Sequence, residues 1–535
     1  MRSNVLKVSA LAATIAASFG AQAAVYEVHK YTPVDGAITY GVAVKEDASS
    51  DCWTNSGTDC NTDANANSFV IAAETKKMAE GFSFRDEMPY LWNLGFANDD
   101  SQSEFESYCN AYLGYNSSLC SKWGLEQWSG YDYELNTAKD NSIAYVSPSN
   151  SPFNSITTNA VINSFDASGN VIGNRYNANN TVRNQAFDDT SLIALANSST
   201  QRSHAWAALD DTKRYIVGSL STQIGSNDEY SSKATVWEDG TAFSANWEFS
   251  DQNNVKSGDE IAQGSMRDIA LHNAKRYGVG YNADTGYRPV ASVFDISDPS
   301  NITTNYIDRF KSDDYLNSVI HVANNNGIAV GTVKYAISNQ NSYSNALFYL
   351  NDISNPDSSY ADFSGSLFFG GANGQAGGLN DKNEFVGQID FERHNESNNG
   401  KPRAKRAFAT VIGSKALSNA AFKNGAYYLD DLTYGLESNN AYRIFDATDI
   451  NEASVISGTA YYCPGGYDSY AIDATCNGGA ASSEQVVAVK LIPIQGTTAA
   501  NIQSRPQEEV TVERQGASLG WLALGLLGVL GFRRK

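Results

Sequence analysis

The sequence predicts an all-β fold, a β-propeller of seven blades, carrying one partly helical insertion and an apolar helix at each end. Three observations point there. A glycine recurs with an Asn or Asp seven residues before it. The glycines return at roughly 45 to 70 residue intervals, near the periods of propeller blades. Each unit also supplies three or four short strands that cannot bury their faces alone, and radial stacking solves that problem while protecting the edges. A solenoid or a two-sheet sandwich would accommodate the same strands.

The clearest copy is Gly378-Leu379-Asn380-Asp381-Lys382-Asn383-Glu384-Phe385-Val386-Gly387, followed by Arg406-Ala407-Phe408-Ala409. It reads as a hairpin, because Asn and Asp bond to nearby backbone and tolerate left-handed dihedrals. Its siblings place Asp166, Asp211, Asn273, Asn324 and Asn451 ahead of Gly173, Gly218, Gly280, Gly331 and Gly458. These six positions are read as turn formers and fold determinants. A degenerate first copy lies around Gly41: Val25 to Tyr31 alternates as a strand, Asp35-Gly36 turns, and Ile38 to Val44 returns. Val25 to Tyr31 would also complete the last blade beside Val487 to Leu491, closing the ring with both ends of the chain.

Residues 73–128 break the pattern and are expected to form a partly helical insertion. Pro89-Tyr90-Leu91-Trp92, Trp123 and Trp128 would supply its apolar cluster. The remaining divisions are a signal peptide over 1–23, the repeat domain over 24–493, a polar linker over 494–515 and an apolar tail over 516–535.

The signal peptide is read from Arg2 and Lys7, the apolar run Val8 to Phe19 and the small-residue site Ala21-Gln22-Ala23, with Ala24 opening the mature chain. The tail comprises Gly516-Ala517-Ser518, an apolar run from Leu519 to Phe532 that includes Trp521, and the basic end Arg533-Arg534-Lys535. Its length is marginal for a membrane span of ~20 residues, and the basic end would stay cytoplasmic. The tail resembles the GlyGly-type sorting signals of Gram-negative bacteria. That resemblance implies a partner, the rhomboid-type intramembrane protease rhombosortase, with the export machinery, transient anchoring in the inner membrane and final exposure at the cell surface or secretion. Gly516-Ala517 departs from the usual Gly-Gly pair. The repeat phrase is similar to the HAF-type extracellular repeat, and the whole arrangement to an uncharacterised family of exported proteins from marine gammaproteobacteria. The family implies an address and an architecture, with no activity to carry over.

Composition narrows the function. The net charge of -21 and the pI near 4.6 argue against nucleic acid, which needs clustered Lys and Arg. Six cysteines in an exported chain suggest a disulfide framework. Six allow 15 pairings, of which local ones, Cys52 with Cys60, Cys109 with Cys120 and Cys463 with Cys476, are favoured here. One calcium-loop candidate takes Asp63, Asn65, Asn67 and Glu74 at positions one, three, five and twelve. Ser68 stands where such loops carry glycine and no helix is expected ahead of the loop, so an Asn-rich turn before a strand is the plainer account.

No motif for nucleophilic, zinc or phosphate chemistry occurs. His204, His272 and His321 fall near leading strands without sharing a register, and Asp210, Asp268 and Asp446 lie near the expected inner strands. The expectation is a non-catalytic propeller that binds a protein or glycan. The alternative is a polysaccharide hydrolase or lyase using carboxylates at the channel mouth.

Overall fold

A computed structural model of the chain describes residues 24–47, 51–54, 59–78, 101–135, 140–177, 179, 182–226, 229–258, 260–480 and 483–508. Among the described residues, seven antiparallel sheets follow one another around a ring, six of four strands and one of three. Blade 1 is Ile38–Val44, Ile71–Lys76 and Ser142–Val146. Blades 2 to 6 open with the inner strands Ala160–Phe165, Gln201–Asp210, Gly264–His272, Tyr315–Ala323 and Gly374–Leu379. Blade 7 runs outward from Tyr442–Ile450 through Ile456–Tyr462 to Gln485–Pro493. Its fourth, outermost strand is Tyr26–Tyr31 from the other end of the chain, with Tyr26 opposite Pro493.

The expected first hairpin is therefore corrected. Tyr26–Tyr31 and Ile38–Val44 do not pair; they belong to blades 7 and 1. Gly41 lies on an inner strand, and Ala73 opposes it where the other blades carry their glycine. The inset also shifts. Ala73 to Lys76 are strand, drawn into the sheet by pairing with Ser142 to Tyr145, so the excursion from the sheet runs from Lys77 to Asn141.

The core lies in the seams between blades. Val279, Val293, Ile320, Ala323 and Phe348 join blades 4 and 5, and Val386, Ala407, Ile444 and Val489 join blades 6 and 7. Sheets covered on both faces need strands apolar on both faces, as in Pro289–Asp295, where every residue but Asp295 is buried.

The repeat glycines have one physical cause. A Cβ built on Gly173, Gly280 or Gly331 would stand 2.1, 2.0 or 2.2 Å from the carbonyl oxygen of Val161, Ser265 or Val319 on the inner strand. Beside each contact the inner strand carries a β-bulge. A bulge bends its strand and brings backbone close, which leaves no room for a side chain opposite.

The turn residues join the blades. Asn324 accepts its own turn's Ile328 N–H (3.0 Å) and donates to Asn380 O of blade 6 (2.9 Å). Asn380 repeats this toward Asn451 O of blade 7 (3.0 Å), and Asn451 toward Lys45 O beyond blade 1 (2.9 Å). An amide suits the position because it both accepts and donates. Where the sequence has Asp, the next blade supplies an arginine: Arg214 bonds Asp166 (2.9 Å) and Arg276 bonds Asp211 (2.8 Å). Asn273 differs, sitting at φ 52° in a tight hairpin with Ala274.

The inset holds helices Gln102–Tyr112 and Ser117–Leu135, stapled by Cys109–Cys120. Their connection seats far from blade 1, on the blade 6 loop. Asn116 N–H donates to Gly400 O, Asn399 N–H to Gly114 O (both 2.9 Å), and Tyr115 Oη to Glu396 (3.3 Å). The other disulfides are Cys52–Cys60 and Cys463–Cys476, so the three local pairs are those expected. Residues 494–508, the described part of the expected polar linker, lie against the body. Ile502 joins the core, Arg505 N–H donates to Asp431 (2.8 Å), and Ile472 N–H donates to Pro506 O (2.8 Å). Among the described residues no helix is long and apolar enough to cross a membrane.

Candidate functional site

The inner strands enclose a central channel with a volume of about 570 Å³, lined by residues of all seven blades. Every inner strand carries a bulge that sets a residue on the channel wall. Blades 2 to 5 place Asn163, Trp206, Arg267 and His321 there. Blades 6, 7 and 1 place the Gly377-Gly378 pair, Thr448 and Val42. The bulge positions are thus lopsided, with large polar and aromatic side chains in blades 2 to 5 and small ones in blades 6, 7 and 1.

Arg267 lies over the Trp206 ring, its guanidinium carbon 4.0 Å from the centroid. His321 Nε2 is 2.9 Å from Thr332 Oγ1, and burial together with the Arg267 charge lowers its pKa to about 3. It is a neutral imidazole at physiological pH. Asn163 donates through Nδ2 to Ala205 O (2.7 Å).

At the end where the inner strands finish, carboxylates crowd together, and their partners are backbone amides. Asp268 accepts from Ile269 and, across a seam, from Ala323 (both 2.8 Å). Asp449 accepts from Ile450 and, across the next-but-two seam, from Val44 (both 2.9 Å). Asp381 accepts from Asn325 N–H (2.8 Å), Glu452 from Asp381 N–H (2.6 Å) and Glu46 from Glu452 N–H (3.4 Å). Burial pushes Asp268 up to about 7, with the charges of Asp449 and Asp381 adding to it, and Asp449 up to about 6. Glu46 rises to about 8 by burial, reinforced by Asp449 and Glu452.

Of the singled-out residues, Asp268, Asp446 and His321 line the channel. Asp210 pairs with Arg214 (2.9 Å), His204 is buried in blade 3, and His272 sits in a hairpin bonded to Asn325 O (3.1 Å). Asp63, Asn65 and Asn67 lie on the short helix Asp63–Ser68, whereas Glu74 is buried in the blade 1 sheet. Among the described residues no group of three or more His, Cys, Asp or Glu side chains is arranged to hold a metal. Ala24 is described and buried. Ala21, Ala23, Gly516, Ala517, Ser518, Trp521, Arg533 and Arg534 lie outside the described residues, as does Pro89 to Trp92.

Sequence reasoning missed Asn163, Trp206 and Arg267. In blades 2, 5, 6 and 7 the bulge residue stands ten before the glycine. That spacing is a readable signal, hidden in blades 3 and 4 by their different turn lengths.

Residues 279–535 match a family described as "Protein of unknown function (DUF3466)", from the second strand of blade 4 onward. No curated protein matches the chain. Solved structures with some likeness include an α-L-arabinofuranosidase from Podospora anserina in complex with cellotriose, at 10% identity. The match covers 54% of this chain and 90% of that one, at a TM-score of 0.22. The catalytic domain of an α-L-arabinofuranosidase from Coprinopsis cinerea matches at 11% identity, covering 54% and 89%, with a TM-score of 0.22. A thermostable family-43 glycoside hydrolase matches at 9% identity, covering 57% and 95%, with a TM-score of 0.24.

Proposed function

We propose that this protein is an exported, surface-anchored or secreted propeller that binds a protein or glycan partner without transforming it. The use of the mouth carboxylates carries the reading. Asp268 and Asp449 each spend both oxygens on backbone N–H groups, one of them in a neighbouring blade. A carboxylate fixed in this way works as a seam staple, whereas a general acid or nucleophile must face its substrate. A glycan array followed by product analysis tests it: retention without new products is expected, and cleavage overturns the reading.

One observation favours the hydrolase alternative. Asp268 at about 7 and Asp449 at about 6 fall in the range where a carboxylic acid donates a proton near neutral pH. Asp268→Asn separates the two readings, since it would abolish turnover in an enzyme and leave a binder's affinity largely unchanged.

Three disulfides suit an oxidising, extracellular compartment. The reading extends this to cleavage after Ala23 and tail processing near Ala517 by a rhomboid-type protease. Mass spectrometry of the mature protein should show both ends trimmed, and an intact Lys535 would refute sorting.

A further inference from the structure

The bulges give the channel a feature that the fold itself does not require. In an ordinary inner strand, each residue is committed to the ladder and to a seam. The bulged residue is skipped in the ladder register, and the extra backbone bend turns it onto the channel wall. In blades 2 to 7 the glycine across from it makes the bulge possible, so each of these blades devotes a structural residue to displaying a neighbour on the channel wall. Four successive blades display groups able to recognise a ligand: an amide, an indole, a guanidinium and an imidazole that stays neutral. In blade 6 the bulge is Gly377-Gly378, where a Cβ would stand 2.0 Å from Ala447 O and 2.6 Å from Asp449 Oδ1, respectively, so blade 7 packs directly against it.

The geometry points to this bulge ring as a saccharide-binding site, with Trp206, Arg267, Asn163 and His321 as its contacts. Three considerations select the ligand class. The volume lies in the range of small-molecule sites and is far too small for a folded partner. An apolar ligand would strip water from Arg267, Asn163 and the nearby carboxylates without repaying their hydrogen bonds. A polyanion would meet Asp268, Asp446 and Asp449 on the same walls. A hydroxyl-rich ring satisfies both limits: its hydroxyls accept from the guanidinium and the Asn163 amide N–H and bond the imidazole, and its C–H face suits the neighbourhood of an indole.

This assignment rests on the binding reading above, and the experiment keeps the two separable. Saturation-transfer NMR on the full chain, with cellobiose and chitobiose as probes, is expected to show transfer to at least one. Trp206→Ala should weaken that binding about tenfold or more, the loss expected for a central aromatic contact. Trp206→Phe, which keeps a ring, should recover most of it, with circular dichroism confirming that both variants are folded. No transfer to any probe, or transfer undiminished in Trp206→Ala, overturns the bulge-ring site. If a glycan array is still positive in that case, the binding-module reading stands on another surface. If a probe is bound in a Trp206-dependent way and also cleaved, the site stands and the non-catalytic reading falls.

Discussion

Asn380 and Asn451 hold equivalent places in adjacent blades, and the side chain of the first bonds the backbone of the second. Asn380 Nδ2 lies 3.0 Å from Asn451 O, while its Oδ1 accepts Glu384 N–H at 2.9 Å. One amide thus shapes its own turn and fixes the neighbouring turn.

Asn380→Asp keeps the acceptor and loses the donor, leaving a buried carboxylate against Asn451 O and Glu384. A loss of about 1–3 kcal/mol is expected, read from chemical denaturation. Asn273→Asp, in an exposed hairpin without this seam bond, should change stability by less than about 0.5 kcal/mol. Equal effects would dismiss the seam account.

Gly331→Ala would press a methyl carbon to 2.2 Å from Val319 O and 2.5 Å from the Phe348 ring. Destabilisation of about 2–4 kcal/mol or failure to fold is expected. Gly240→Ala has open space and only the penalty of its positive φ, about 1 kcal/mol. Thermal melts of the pair separate close approach from backbone strain.

Arg214 gathers Asp166, Asp188 and Asp210, and the Asp166 side chain is fully buried. Arg214→Ala leaves that carboxylate without its cation, at a loss of about 3 kcal/mol. Burial acts to raise the Asp166 pKa, but Asn170 and Arg214 outweigh it and hold it below the usual range. Its stabilisation is therefore present above the unfolded pKa and lost as pH falls through the folded one. Denaturation midpoints of the wild type should drop on the acid side more steeply than those of Arg214→Ala.

Asp268 and Asp449 have the opposite sign. Their folded pKa values, about 7 and about 6, exceed the unfolded carboxylate value, so their contribution is full below ~4 and lost as pH rises through 6 to 7. Asp268→Asn should flatten the decline in stability between about pH 4 and pH 7. An unchanged slope would show that Asp268 titrates normally.

Cys109→Ala with Cys120→Ala opens the staple on the inset helices. Amide exchange at Asn399 and Asn116, bonded across the contact with blade 6, should quicken, while the blade amides stay protected. Uniform acceleration would mean that the inset supports the whole ring.

Local signals in the chain were readable where local chemistry decides structure. Asn324, Asn380 and Asn451 announce turns because the side chain bonds its own turn, and the Cys pairs are close in sequence. What escaped was decided across strands. Trp206 and Arg267 are bulged only by virtue of a register with the second strand, which no single segment encodes. Glu74 to Lys76 have helix-forming content, yet they are strand because Ser142 to Ala144 wait across the inset. Gly41 looks like its siblings but faces Gly458 O of blade 7, a contact with the far end of the chain.

The pairing of Tyr26 with Pro493 sets an order in time. The strand made first finds its partner only after the last blade exists, so until then the ring is a row of sheets with two raw edges. Such distant closure slows folding, and its late edge is a ready template for another chain. A copy that closed on its neighbour's Gln485–Pro493 strand would give a swapped dimer with every seam intact, so the concentration at which chains meet unfolded decides between a ring and a linked pair.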